Sequence, residues 1–180
     1  IYPFYEMATQ KAWGQSPVQA NAESAELWSR YAKVAASNDY AWLKQAPDAA
    51  AIGEVTADNR LINWPYRKLM VANPSVNQAA AIIVTSLATA LELGVSQDKL
   101  VYIQGGAAAA ESEDYLARDS YERSFAQEVV LEQAVKIAGG DAKRLTAMEL
   151  YSCFPVVPKM ALRSLGPDVA HLEPTVAGGL

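Results

Sequence analysis

The stretch "AAAIIVTSLATALELGVSQDKLVYIQGG", residues 79–106, sets the fold class. Residues 79–86, "AAAIIVTS", form a short continuous apolar run, the pattern of a buried strand. Residues 87–94, "LATALELG", follow as a helix closed by Gly94, a residue that readily takes the left-handed conformation ending a helix. Residues 99–106, "KLVYIQGG", read as a second strand that stops in a Gly-Gly turn. Strand, helix, strand in this order is an α/β signal, a sheet covered by helices.

The alternation continues downstream. Residues 111–124, "ESEDYLARDSYERS", are charged and read as a surface loop. Residues 124–140 form an amphipathic helix with Phe125, Val129, Leu131, Ala134, Val135 and Ile137 on its apolar side. Residues 145–152, "LTAMELYS", alternate as a strand does, and residues 154–166 read as a helix with Pro155 in its first turn and Gly166 at its stop. "HLEPTVAGG" (171–179) reads as the start of another strand.

Upstream the texture differs. The opening is aromatic and helical in pattern. Residues 16–38 form a helix with Ser16 as N-cap, Pro17 at the first position and Asn38 at its stop. "APDAAAIGE" gives at most a short helix. Residues 56–75 hold two prolines and no sustained period, so they read as an ordered loop packed by Trp64, Tyr66, Leu69 and Met70. Trp28, Tyr31, Trp42, Trp64 and Tyr66 are expected to form a packed aromatic cluster. The expected division is 1–75 as a mainly helical unit, with 76–123 and 124–180 as successive α/β portions.

Composition excludes several classes. Apolar residues are 51% and charged residues 19% of the 180, so the chain is globular rather than disordered. A net charge of −5 without a basic run argues against a nucleic-acid partner. No apolar run is long enough to span a membrane as a helix. One cysteine excludes an internal disulfide framework and fits a reducing compartment, hence the expectation of a cytoplasmic protein. One histidine, His171, excludes His-pair metal motifs, and no metal site is expected. The chain opens on "IYPFYE" and stops on "TVAGGL"; both ends set the expectation of a piece of a longer protein.

Few residues offer chemistry on their own. Cys153 lies at a strand-to-helix turn, where nucleophiles often sit. It needs a base or a positive field to become a thiolate. His171 is 18 positions away, between Asp168 and Glu173. Without the flanking glycines of a nucleophile elbow, a small packing residue is the simpler reading. "QGGAAAAES" (104–112) lacks the spacing of a phosphate-binding loop. Glu111, Glu113, Asp114, Asp119 and Glu122 alternate with Arg118 and Arg123 and read as a solvated face.

The order of segments resembles the thiolase superfamily, in particular thiolase-like and sterol-carrier-protein-type acetyl-CoA acetyltransferases. Three blocks carry the resemblance. Residues 58–86 resemble the segment that leaves the loop domain and enters a core strand. "ELYSCFP" (149–155) resembles the block that reads N-E-A-F in some members and H-D-C-F in the sterol-carrier type. "TVAGGL" (175–180) resembles the run just before the family's Gly-His-Pro. The fold so implied is a central fragment: part of a layered α/β core preceded by a mainly helical loop domain.

The resemblance implies acyl transfer on coenzyme A, with acyl-CoA as substrate and no permanently bound cofactor. Tyr151 falls at the oxyanion-hole position, Ser152 replaces an acidic residue, and Cys153 takes a packing position. Asn73, Ser75 and Asn77 fall in the block that meets the pantetheine arm, with Pro74 where members carry a serine. Lys68 and Arg67 are available to phosphates. The nucleophilic cysteine and the Gly-His-Pro histidine would lie in the remainder of the thiolase core, and a homodimer is expected. Alone, these residues are expected to be inactive. A non-catalytic acyl-CoA- or lipid-binding protein on the same fold is the alternative, and a hydrolase using Cys153 with His171 is the third reading.

Overall fold

The computed structural model describes residues 1–178. Six α-helices carry the architecture among them: α1 (Tyr2–Ala12), α2 (Pro17–Ser37), α3 (Ala49–Gly53), α4 (Leu87–Glu92), α5 (Phe125–Ile137) and α6 (Val156–Leu165). One two-stranded antiparallel ribbon pairs β1 (Leu61–Asn63) with β2 (Tyr66–Arg67).

The helices follow local chemistry. Ser16 accepts from Gln19 N while Gln19 Oε1 accepts from Ser16 N, a reciprocal capping box that fixes the start of α2. Asn38 is its C-cap, as its sequence position predicts. Asp48 caps α3, Ser86 caps α4 and Ser124 caps α5, each accepting a backbone N–H of the first turn. Gly166, with φ +75°, closes α6 in a conformation that costs other residues strain.

The core has two clusters. Ala25, Ile52, Tyr66 and Met70 join α2, α3 and the segment after β2. Tyr5, Val156 and Met160 join α1 to α6. Phe154 packs against both clusters and so bridges them. The loop at 56–75 is ordered largely by Asn59. Its buried amide donates to the carbonyls of Ala51, Ile52 and Glu54 and accepts from Leu69 N at 2.9 Å.

An ion pair lies beneath these clusters. Glu6 of α1 and Lys159 of α6 are both 1% exposed and directly bonded. Tyr66 Oη donates to the second Glu6 oxygen at 2.8 Å. Burial, and then Glu6, pushes the Tyr66 phenol far above its ordinary range, so it remains a donor. Each charge is thereby matched where water is excluded, the condition for tolerating buried ions.

The structure departs from the expected layered sheet. Residues 79–86, 99–106 and 145–152 are not paired strands, and the described part of 171–179 forms turns; Gly179 lies outside the described residues. Ile82, Ile83, Val84, Val101 and Ile103 are largely exposed. A strand needs a lateral neighbour for its backbone N–H and C=O groups; among the described residues 79–86 and 99–106 have none, and 145–152 has a single such tie, Leu150 N to Pro174 O, which makes no ladder. The loop at 56–75 contains the β1–β2 ribbon, which its prolines concealed. The five aromatics do not form one cluster. Trp28 tilts against Tyr31, Tyr66 joins Phe154, and Trp42 and Trp64 stay exposed.

Candidate functional site

The turn into α6 is built around Phe154. Its ring stacks on Tyr2 with centroids 4.2 Å apart and tilts against Tyr66 at 5.0 Å. Ser152 Oγ accepts from Phe154 N at 3.2 Å and tightens the bend. With Phe154 directed inward, Tyr151 faces outward and is 60% exposed. Its phenol oxygen lies 3.8 Å from Cys153 Sγ. The hydrogen bond to Cys153, then burial, pushes the Tyr151 phenol above its ordinary value. Tyr151 therefore keeps its proton at neutral pH, and its O–H is available to donate.

This turn joins the three sequence blocks. Cys153 O accepts from Ala72 N at 3.1 Å, tying in the first block. Leu150 N donates to Pro174 O at 2.9 Å, directly before the third, which begins at Thr175. Glu149 strengthens that second tie. Its carboxylate accepts from Thr175 Oγ1 at 3.0 and 2.9 Å, and from Val176 N and Ala177 N at 3.0 Å each.

Helix α2 grips the same loop from the other side. Tyr31 Oη donates to Leu150 O at 2.6 Å. Arg30 pairs with Glu173 and donates to Leu172 O, each at 2.9 Å. Asn38 Nδ2 donates to Ala177 O at 2.7 Å. Gly178, at φ +96°, lies so close to α2 that an added Cβ would come within 2.4 Å of the Ala35 backbone. Glu149 was not singled out in the sequence, and Tyr31 and Asn38 were read there as a cluster aromatic and a helix stop, not as contacts of this loop. Glu149 stands two residues before Tyr151, on the same side of an extended chain, and that spacing was the available signal.

The remaining candidates divide. Asn73, Ser75 and Asn77 are exposed and follow directly on Ala72, beside the Cys153 turn. Asn73 Oδ1 accepts from Ser75 N at 3.0 Å, which shapes that segment. Lys68 lines a separate shallow recess with Gln45, Glu54, Thr56, Asp58 and Asn59. The two carboxylates there oppose phosphate binding. Arg67 is half-buried and donates to Asn21 Oδ1 and Pro65 O.

Among the described residues no hydrogen bond joins Cys153 to His171. The polar neighbour of the thiol is the Tyr151 phenol, which is no base at neutral pH. His171 is exposed on the turn after α6. Glu111 also departs from a purely solvated face. It accepts from Arg118 at 3.0 Å, from Tyr5 Oη at 3.3 Å, and from Ser124 Oγ and Ala126 N at the start of α5. Among the described residues no group of three His, Cys, Asp or Glu side chains gathers to hold a metal ion. No helix there is long and apolar enough to cross a membrane.

No protein-family model matches the chain, and no curated protein does. Among solved structures, the chain is similar to the crystal structure of a monomeric SCP2-thiolase like protein type 1 from Mycobacterium smegmatis. The two are 33% identical with a TM-score of 0.86 over 99% of this chain. The chain spans 40% of the length of that protein. The three blocks joined at Tyr151 thus belong to a thiolase-like chain with the fold of an SCP2-thiolase-like protein.

Proposed function

We propose that these residues are a portion of a thiolase-like acyltransferase acting on acyl-CoA. The observation that carries the reading is the meeting of three blocks at one turn that presents a protonated, exposed Tyr151 phenol. Negative charge develops on a thioester oxygen when an enolate or tetrahedral intermediate forms. A fixed neutral donor stabilises that charge. Tyr151 Oη–H is neutral and exposed at the turn, so it is available as such a donor.

The polar run Asn73, Ser75 and Asn77 is the surface on which a pantetheine arm would lie, continuous with the turn through Ala72. Lys68, in its separate recess beside Glu54 and Asp58, is not part of that surface. The acyl-carrying cysteine and the Gly-His-Pro histidine would come from the remainder of the thiolase core. That remainder would also cover residues 79–106, and the chain's 40% share of its neighbour's length is consistent with this. The neighbour is described as monomeric, so it lends no support to the expected homodimer.

A second reading is a non-catalytic acyl-CoA- or lipid-binding protein on the same fold. It is favoured by Tyr151 at a position where relatives resembling this block carry Asn or His, and by Pro74 in the pantetheine segment. Calorimetric titration with coenzyme A and acetyl-CoA, beside an acetoacetyl-CoA cleavage assay, separates the two. The test requires the full-length protein containing these residues. Binding with turnover supports the acyltransferase, binding without turnover supports the second reading, and no binding removes both. The 180-residue chain by itself is expected to show no cleavage.

A further inference from the structure

We infer that Glu149 is a positioning residue, which holds the 174–178 loop against the turn bearing Tyr151 and so sets the direction of the Tyr151 phenol. The inference rests on the proposed role of Tyr151.

Glu149 itself touches neither Tyr151 nor Cys153 by a hydrogen bond. Both its oxygens are committed to the neighbouring loop, through the Thr175 hydroxyl and the Val176 and Ala177 amides. Thr175 is 1% exposed, and its hydroxyl also accepts from Gly178 N at 2.8 Å. Successive backbone N–H groups converging on one carboxylate form a small anion nest. A side chain within the protein fills it, so it is a structural clamp rather than a vacant ligand site.

The opposite face of the clamp belongs to α2. Tyr31 donates to Leu150 O, one residue from Glu149 and one from Tyr151, and also reaches Pro174 O at 3.4 Å. Asn38 holds Ala177 O. The backbone at 149–151 is therefore fixed on both sides, by Leu150 N–H to Pro174 O and by Leu150 O to Tyr31. The Tyr151 side chain is itself exposed and has little packing to orient it. Its direction comes chiefly from that backbone and from Cys153. Removing the Glu149 carboxylate frees the loop that defines one side of the backbone. It also leaves the Thr175 hydroxyl and two amides without their acceptor.

The test combines Glu149→Ala, Thr175→Val and Tyr151→Phe with the conservative variants Glu149→Gln and Thr175→Ser. Three readouts apply: amide exchange at Val176 and Ala177, the NMR ring signals of Tyr151, and acetyl-CoA affinity of the full-length protein. For Glu149→Ala the two amides are expected to exchange at least about tenfold faster, the scale of a lost charge-assisted hydrogen bond. The Tyr151 ring signals are expected to shift, and affinity to fall by about tenfold on the same scale. Thr175→Ser should restore what Thr175→Val loses. Adding Glu149→Ala to Tyr151→Phe should cost little more affinity than Tyr151→Phe alone, because the two residues act in series.

Unshifted Tyr151 ring signals in a folded Glu149→Ala variant would overturn the inference, whatever the amides do. Additive losses in the double variant would overturn it too, leaving acyl-CoA recognition intact. A wild-type protein that binds no acetyl-CoA removes the reading of the site; the ring and amide signals then still decide whether Glu149 positions Tyr151. If Glu149→Ala fails to fold, the isosteric Thr175→Val carries the same expectations.

Discussion

Ile52 and Ile83 carry the same side chain in opposite surroundings. Ile52 is 1% exposed, packed with Ala25, Tyr66 and Met70. Ile83 is 93% exposed on a segment that pairs with nothing among the described residues. The difference is one of partners. An amphipathic helix satisfies its own backbone and needs only a surface for one face, which α2, α3 and α6 find within the chain. A central strand needs neighbours on both edges and cover on both faces. Residues 1–75 and 149–178 therefore supply their own partners, whereas the apolar runs at 79–86 and 99–106 find no strand partner among the described residues.

The largest expected effect lies in the self-sufficient region. Lys159→Met leaves the Glu6 carboxylate buried with Tyr66 as its one remaining hydrogen-bond donor among the described residues. Breaking one side of such a pair costs about 3–5 kcal/mol, read as a lower urea midpoint. Replacing both, Glu6→Gln with Lys159→Met, removes the stranded charge and keeps an acceptor for Tyr66. That double variant should recover most of the loss. A Lys159→Met protein as stable as wild type would mean that the pair does not hold α1 to α6.

Ile52→Ala comes next. It opens a cavity between α2, α3 and the loop that Asn59 orders, at a cost of about 2–5 kcal/mol. The same unfolding measurement applies. A loss below about 1 kcal/mol would place Ile52 outside the range for a packed core site.

How much of this was legible in the sequence follows the same division. Ser16, Pro17 and Asn38 gave the bounds of α2 because capping is local chemistry. The helices at 87–94, 124–140 and 154–166 were found by periodicity to within a few residues. The paired strands expected at 79–86 and 99–106 were not found. Sequence pattern registers the apolar character of Ile82, Ile83 and Val101 but not whether a neighbour is at hand. At the site, Tyr151 was reached through the "ELYSCFP" block. Glu149 and the α2 contacts were missed because Tyr31 and Leu150 are 119 residues apart, and no local pattern encodes that bond.

The smallest expected effect is Ile83→Ala in this 180-residue chain. A side chain already 93% exposed loses almost no burial, so stability should change by less than about 0.5 kcal/mol. Its value lies in the contrast with the full-length protein, where the proposed remainder of the thiolase core would pair with 79–86 and bury Ile83. There the same substitution should cost about 2–5 kcal/mol, the loss of a core isoleucine. Equal and negligible losses in both proteins would show that 79–86 is a surface segment and not a strand of a larger sheet. A large loss in the short chain would show that Ile83 is already covered there, contrary to its exposure.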